Sequence, residues 1–220
     1  MPDGKTVRPL RADARDNRRR ILAAAQEVLV ERGPDVPLEE IARRAGTGIA
    51  TLYRRFPDRA VLIREVALDA LRRTLDVAVQ AAEEESDPFA ALLRYMHGVL
   101  DVRVGAVIPA LLERIPLDDR EIDAVRAESA AAVQRLIGAA HLSGDLHPDV
   151  GFGDIGLLLV RLSRPLPGAI PRDVGDRLAH RHLDLAVNGL RAWPGRPTVA
   201  GPALTETGLR SLTDPPDHRV

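Results

Sequence analysis

The chain has 220 residues, 45% of them hydrophobic and 29% charged, with a net charge of −1; this balance supports a buried core and excludes a wholly disordered polymer. It contains no cysteine, which excludes a disulfide framework, a thiolate zinc site and a cysteine nucleophile. The apolar run Ile155 to Val160 is far shorter than the ~20 residues of a membrane span, and no apolar signal core follows the charged N-terminus, so a cytoplasmic protein is expected.

Residues 1–14 are polar and are expected to form a flexible arm. Arg15 to Arg32 then reads as a helix, because Ile21, Leu22, Ala25, Val28 and Leu29 repeat with the spacing of one buried stripe. Gly33-Pro34 ends it. A second helix is predicted from about Pro37 to Ala45. Pro37 stands near its first position, Glu39 and Glu40 lie where the helix dipole favours anions, and Leu38, Ile41 and Ala42 face inward. Gly46-Thr47-Gly48 breaks the chain. A third helix runs from about Ile49 to Phe56, stopped by Pro57, and Asp58 caps a fourth that reaches toward Glu85.

Longer helices follow, at about Pro88 to Val107, a short piece near Pro109 to Arg114, then Asp118 to His141, Asp154 to Arg164 and Arg172 to Trp193. No strand pattern competes. Residues 194–220 hold five prolines and three glycines among 27 residues without helical periodicity, and are expected to be disordered. The expectation is an all-α chain with an arm at 1–14, a three-helix head at 15–60, a helical unit at 61–193 and a tail at 194–220.

Three short helices with a glycine-bearing turn between the second and third outline a helix-turn-helix. Ile41, Ala45, Leu52 and Phe56 supply its core, and Gly46 permits the left-handed turn. Thr47, Ile49, Ala50, Thr51, Tyr53, Arg54 and Arg55 remain to face outward. Residues 1–60 carry 13 basic and 9 acidic side chains and the remaining 160 carry 18 and 23, so the positive end is the end holding this motif. Arginine bridges guanine acceptors or pairs with phosphates, and an exposed tyrosine hydroxyl serves as a phosphate donor. Arg15, Arg18, Arg19 and Arg20 form either a solvated charge run or phosphate contacts, with Arg18 and Arg19 taken as phosphate candidates.

The stretch Leu38-Glu39-Glu40-Ile41-Ala42-Arg43-Arg44-Ala45-Gly46, followed by Ala50-Thr51-Leu52-Tyr53-Arg54-Arg55-Phe56-Pro57-Asp58-Arg59, resembles the DNA-binding domain of TetR-family transcriptional regulators over residues 15–62. The resemblance implies that the third helix reads double-stranded DNA, with Thr47, Ile49, Ala50, Thr51, Arg54 and Arg55 toward the bases and Tyr53 and Arg59 toward phosphates. It further implies a homodimer on a palindromic operator, a C-terminal ligand-binding and dimerisation domain, an unknown small-molecule effector and action as a repressor. Pro37 departs from the pattern, since it stands where many members place a hydroxyl that caps helix two and touches phosphate. Pro37 and Gly48 sustain a rival reading, a helical small-molecule binding or scaffold protein whose head does not read DNA.

Apolar residues cover more than one side of the last two long helices, which fits equally a helix buried inside one subunit or one that meets a partner; the resemblance favours the partner and so implies a dimer interface at Ile155, Leu158, Leu159, Leu162, Leu178, Leu183 and Leu190. Tyr95, Met96, His97, Arg103, Glu113 and Arg161 are adaptable or polar residues in helices that would surround a cavity, and none is singled out as a ligand contact. His141, Asp145, His147 and Asp149 share one connection but lack an ordered metal-ligand spacing, and His180 and His182, two apart, lie on different helix faces. No phosphate loop, dinucleotide fingerprint or nucleophile elbow is present, so neither cofactor, metal nor enzymatic activity is expected.

Overall fold

A computed structural model describes residues 7–103, 119–166, 170–191, 201 and 203–213. Among these the chain forms α1 (Val7–Arg32), α2 (Leu38–Arg44), α3 (Ile49–Arg55), α4 (Arg59–Glu84), α5 (Pro88–Val102), α6 (Arg120–Leu142), α7 (Phe152–Leu162), α8 (Arg172–Leu190) and α9 (Glu206–Thr213). No strand is present among the described residues, only an isolated bridge between Leu146 and Arg191. The chain divides into two compact units, residues 1–69 and 70–220. The division falls inside α4 rather than at residue 60, because the first turns of α4 bury Leu62, Ile63, Val66, Ala67 and Leu68.

Two ends differ from the sequence reading. The first helix begins at Val7 rather than at Arg15; Pro9 falls in its first turn, where the missing N–H costs no hydrogen bond. The tail expected to be disordered contains α9 at Glu206–Thr213, preceded by a stretch docked on α7. Gly153 N–H donates to Leu204 O at 2.6 Å, and Asp154 Oδ2 accepts from the N–H groups of both Gly151 and Leu204 at 2.7 and 3.2 Å. The short piece expected near Pro109 to Arg114 lies outside the described residues.

In the first unit the stripe of α1 behaves as its spacing requires, with Ile21, Leu22, Ala25, Val28 and Leu29 buried. It packs on α2, and α2 on α3, whose Leu52 and the following Phe56 are almost fully enclosed. The turn between α2 and α3 is a Schellman motif at Gly46, which adopts φ +64°. Thr47 N–H reaches back to Ala42 O at 3.0 Å and Gly46 N–H to Arg43 O at 3.2 Å, satisfying carbonyls that the helix end would leave bare. Gly48 then opens α3 with extended backbone and no side-chain cap. Pro37 occupies the cap position of α2 rather than its first turn, also without a side-chain cap. Asp58 caps α4 as expected, its Oδ1 accepting from Val61 N–H at 2.8 Å.

The second unit closes around Phe89, Leu92 and Met96 of α5, Val133, Leu136 and Ile137 of α6, Ile155 and Leu159 of α7, and Leu183 and Val187 of α8. Asp87 caps α5 through the N–H groups of Phe89 and Ala90, and Asp119 caps α6 through those of Glu121 and Ile122.

Two glycines two residues apart give a paired test. A Cβ at either Gly46 or Gly48 meets nothing within 4 Å, but only Gly46 has a positive φ. Gly46→Ala is expected to destabilise the first unit by about 1–2 kcal/mol through backbone strain alone, whereas Gly48→Ser supplies a cap and raises stability by a few tenths. Urea denaturation of the two variants checks both signs.

Candidate nucleic-acid interface

The rotation of α3 is set from within. Leu52 is 0% and Phe56 1% exposed, so the residues that lie half a turn away must point to solvent. At about 100° per residue, Ala50 and Arg54 fall opposite Leu52, with Thr51 on one shoulder and Tyr53 on the other. Ala50, Tyr53, Arg54 and Arg55 are exposed, and Thr47, Ile49 and Thr51 are half-buried. The structure therefore brings all six residues expected to face bases, and Tyr53, to one short helix and its entrance.

Charge separates this surface from the rest of the unit. Arg44 of α2 is braced against α1, its guanidinium donating to Glu31 at 2.7 Å and Glu27 at 3.2 Å; these two carboxylates hold its pKa above the ordinary arginine value. Glu40 joins Arg32 and Arg43 at 2.7 and 2.8 Å. On α3 the contact is internal: Arg54 Nη2 donates to Thr51 Oγ1 at 2.9 Å. Neither Arg54 nor Arg55 has a carboxylate within ion-pair distance among the described residues, and both stand in solvent. Two uncompensated guanidinium groups beside a tyrosine that is 46% exposed make a face suited to anionic, hydrogen-bond-accepting partners.

The four phosphate candidates are placed differently from one another. Tyr53 stands on the exposed shoulder of α3. Arg59 is half-buried, and its Nη1 donates to Pro34 O at 2.9 Å, tying the start of α4 to the turn after α1. Arg18 pairs with Glu65 of α4, and Arg19 with Asp16 at 2.6 Å, which also lies 3.8 Å from Arg20. Arg18 and Arg19, both taken as phosphate candidates, thus each have a carboxylate partner within the subunit, in pairs that are largely exposed. The side chain of Arg15 lies outside the described residues.

In the second unit, three residues expected at a dimer interface are corrected. Ile155, Leu159 and Leu183 are 1%, 3% and 0% exposed; they fill the subunit's own core and leave no surface for a partner. Leu158, Leu162 and Leu190 rest on that core and are half-buried, as is Leu178, and Leu185 is 59% exposed. Tyr95 and Met96 are core residues rather than cavity walls, and burial pushes the Tyr95 phenol well above its ordinary pKa. Arg103 closes the end of α5 in a left-handed conformation, φ 57°, and pairs with Asp176 of α8. Arg161 is exposed, and Glu113 lies outside the described residues. His147 is buried and its Nδ1 accepts from Asp149 N–H, while His141 Nε2 lies 3.3 Å from His147 O; no group of three or more metal-ligating side chains converges among the described residues. Sequence reading missed one meeting of side chains, that of His97 and His180, whose ring nitrogens stand 2.7 Å apart. The signal was a His-x-x-x-Asp spacing on each of two helices, His97 with Asp101 and His180 with Asp184.

A helical head that turns an arginine-bearing face outward, on a chain with a second all-helical unit, defines a helix-turn-helix regulator. Comparison with known proteins agrees: the model for bacterial regulatory proteins of the tetR family matches residues 21–66, and that for the SbtR-like transcriptional regulator C-terminal domain matches residues 87–192. A TetR transcriptional regulator from Streptomyces coelicolor is 31% identical, covering 79% of this chain and 98% of that one with a TM-score of 0.56. A TetR transcription regulatory protein from Mycobacterium vanbaalenii is 30% identical, covering 84% and 100% with a TM-score of 0.51. LfrR from Mycobacterium smegmatis, solved in complex with proflavine, shares the fold at 22% identity, 83% and 98% coverage and a TM-score of 0.56. An HTH-type transcriptional regulator of Staphylococcus aureus is 31% identical over 93 residues, 42% of this chain, and the chain spans about half the length of the curated relatives it matches, 48% here. The chain belongs to the TetR family of DNA-binding transcriptional regulators. No helix among the described residues is long and apolar enough to cross a membrane.

Removing the inner brace and removing the outer arginines should have unequal consequences for folding. Arg44→Met is expected to cost about 0.5–1 kcal/mol, modest because the pair is partly exposed. Arg54→Ala and Arg55→Ala should leave stability within about 0.5 kcal/mol. Chemical denaturation of the three variants checks this division.

Proposed function

We propose that this regulator acts as a ligand-responsive repressor that binds a palindromic operator as a homodimer, inserting α3 of each subunit into the major groove. The observation that carries this reading is the exposed face of α3, where Arg54 and Arg55 have no carboxylate partner among the described residues while Arg18, Arg19, Arg32, Arg43 and Arg44 have one. Phosphates supply the missing charge, and guanine O6 and N7 match a guanidinium fork. Arg54 stands opposite the buried Leu52 and is assigned to base edges together with Thr47, Ile49, Ala50 and Thr51. Arg55 is assigned to the groove wall, because its position is turned toward the flank of the helix. Tyr53 and Arg59 are assigned to the phosphate backbone.

Dimerisation rests on α7 and α8, where the half-buried Leu158, Leu162, Leu178 and Leu190 and the exposed Leu185 leave apolar area uncovered. A two-fold pair of heads reads half-sites one helical turn apart, ~34 Å, or a multiple of it. Occupying such a site over a promoter excludes polymerase, and an effector lowers occupancy by favouring a dimer state of weaker DNA affinity. A small-molecule effector is supported by the fold shared with LfrR, which was solved with proflavine bound.

Fluorescence anisotropy with the DNA upstream of the gene tests the reading, and an affinity that does not respond to salt would overturn it. Arg54→Ala is expected to cost about 1–3 kcal/mol and to relax preference at one base position, whereas Arg55→Ala should weaken all sequences alike and reduce the slope of log affinity against log salt by about one. Leu185→Glu should shift the dimer toward monomer in sedimentation experiments at micromolar concentration, while the helical content stays unchanged.

A further inference from the structure

Two helices of the second unit carry the same spacing, His97 with Asp101 on α5 and His180 with Asp184 on α8, and each histidine meets the aspartate of the other helix. His97 Nε2 lies 3.0 Å from Asp184 Oδ1, and His180 Nε2 lies 3.1 Å from Asp101 Oδ1. The two Nδ1 atoms are 2.7 Å apart. The rings are nearly parallel, at 8°, with centroids 5.0 Å apart. The difference between these two distances is taken up by the two ring radii, so both nitrogens lie on the line joining the centroids. The rings are therefore coplanar and their Nδ1 atoms point straight at each other.

This geometry fixes a proton count. A carboxylate only accepts, so each Nε2 facing one must carry hydrogen. If both rings were neutral, both Nδ1 atoms would then present lone pairs to each other at 2.7 Å. One further proton, on either Nδ1, converts that clash into an N–H donating to a ring nitrogen. A fourth proton would set two N–H groups head to head. Every contact in the chain from Asp101 through His180 and His97 to Asp184 runs from donor to acceptor only when the two rings hold three protons.

A metal ion does not fit the same pair. Two imidazoles on a tetrahedral ion are bent toward it, and a linear ion needs about 4 Å between nitrogens at ~2.0 Å per bond. The nitrogens here are in line and 2.7 Å apart, the separation of a single hydrogen bond.

We propose that His97 and His180 form a binding site for one shared proton that latches α5 to α8. The proton gives the pair one positive charge between two carboxylates, and both rings are partly withdrawn from solvent, with side chains 28% and 31% exposed. On the two helices that form the seam, the charged groups meeting the rings are Asp101 and Asp184, and the next ion pair along it is Arg103 with Asp176. The latch holds only with that one proton in place, since none or two on the facing Nδ1 atoms would set like groups against each other.

The proposal is independent of how the head reads DNA, and its test needs none. Long-range 1H–15N NMR of the intact chain labelled at histidine is expected to show hydrogen on both Nε2 atoms of this pair and a single strongly downfield proton shared by the two Nδ1 atoms. A double-mutant cycle of His97→Phe and His180→Phe, read by chemical denaturation, should give a favourable coupling between the residues worth on the order of tenfold in the folding constant. A spectrum showing either ring with a bare Nε2 overturns the proposal, as does an absent coupling. If the variants do not fold, the NMR of the unaltered chain decides alone.

Discussion

The interface depends on how Leu52 and Phe56 are buried. These two side chains fix the rotation of a helix only seven residues long, too short to hold its shape in isolation. Once Leu52 is enclosed, Ala50 and Arg54 have nowhere to point but outward, and the exposed face of α3 follows. Gly46 serves the same end from the other side of the turn. Its left-handed conformation lets α2 stop and α3 start within four residues while the last carbonyls of α2 stay hydrogen-bonded.

Arginine plays two parts in the same unit, and the distinction is one of partners rather than of residue type. Arg44 holds α2 to α1 through two glutamates, and Arg32 and Arg43 share Glu40. Those charges are spent inside the fold. Arg54 is instead steadied by a neutral hydroxyl, Thr51 Oγ1, which orients the guanidinium without cancelling its charge. A positive face held by neutral contacts is what a polyanion meets at least cost in desolvation and rearrangement.

The second unit shows the same economy with different groups. Its seam between α5 and α8 is crossed by a row of polar pairs, Arg103 with Asp176, His180 with Asp101 and His97 with Asp184, laid over an apolar layer that includes Met96, Val99 and Leu183. The apolar layer brings the helices together without regard to direction, and the polar row sets their register. The docked segment at 203–205 uses close approach instead: a Cβ at Gly153 would come within 2.4 Å of Leu204, so only glycine admits that backbone.

Much of the architecture was written in local pattern. The stripe of α1, the proline and glycine breaks, and the cap at Asp58 act through neighbours a few residues away, and these the chain declares directly. The face of α3 was legible for the same reason, since period and apolar spacing orient a helix before any partner is known. What the tertiary structure alone decided were the pairings across long separations. Apolar composition could not distinguish Ile155, Leu159 and Leu183, which fill the subunit's own core, from Leu185, which stands in solvent, because both kinds of position look the same along a helix. Nor could it show that Arg18 is matched by Glu65, that a proline-rich tail holds a helix, or that His97 and His180, 83 residues apart, meet in one plane; such encounters are fixed by how helices pack, and packing is a property of the folded whole.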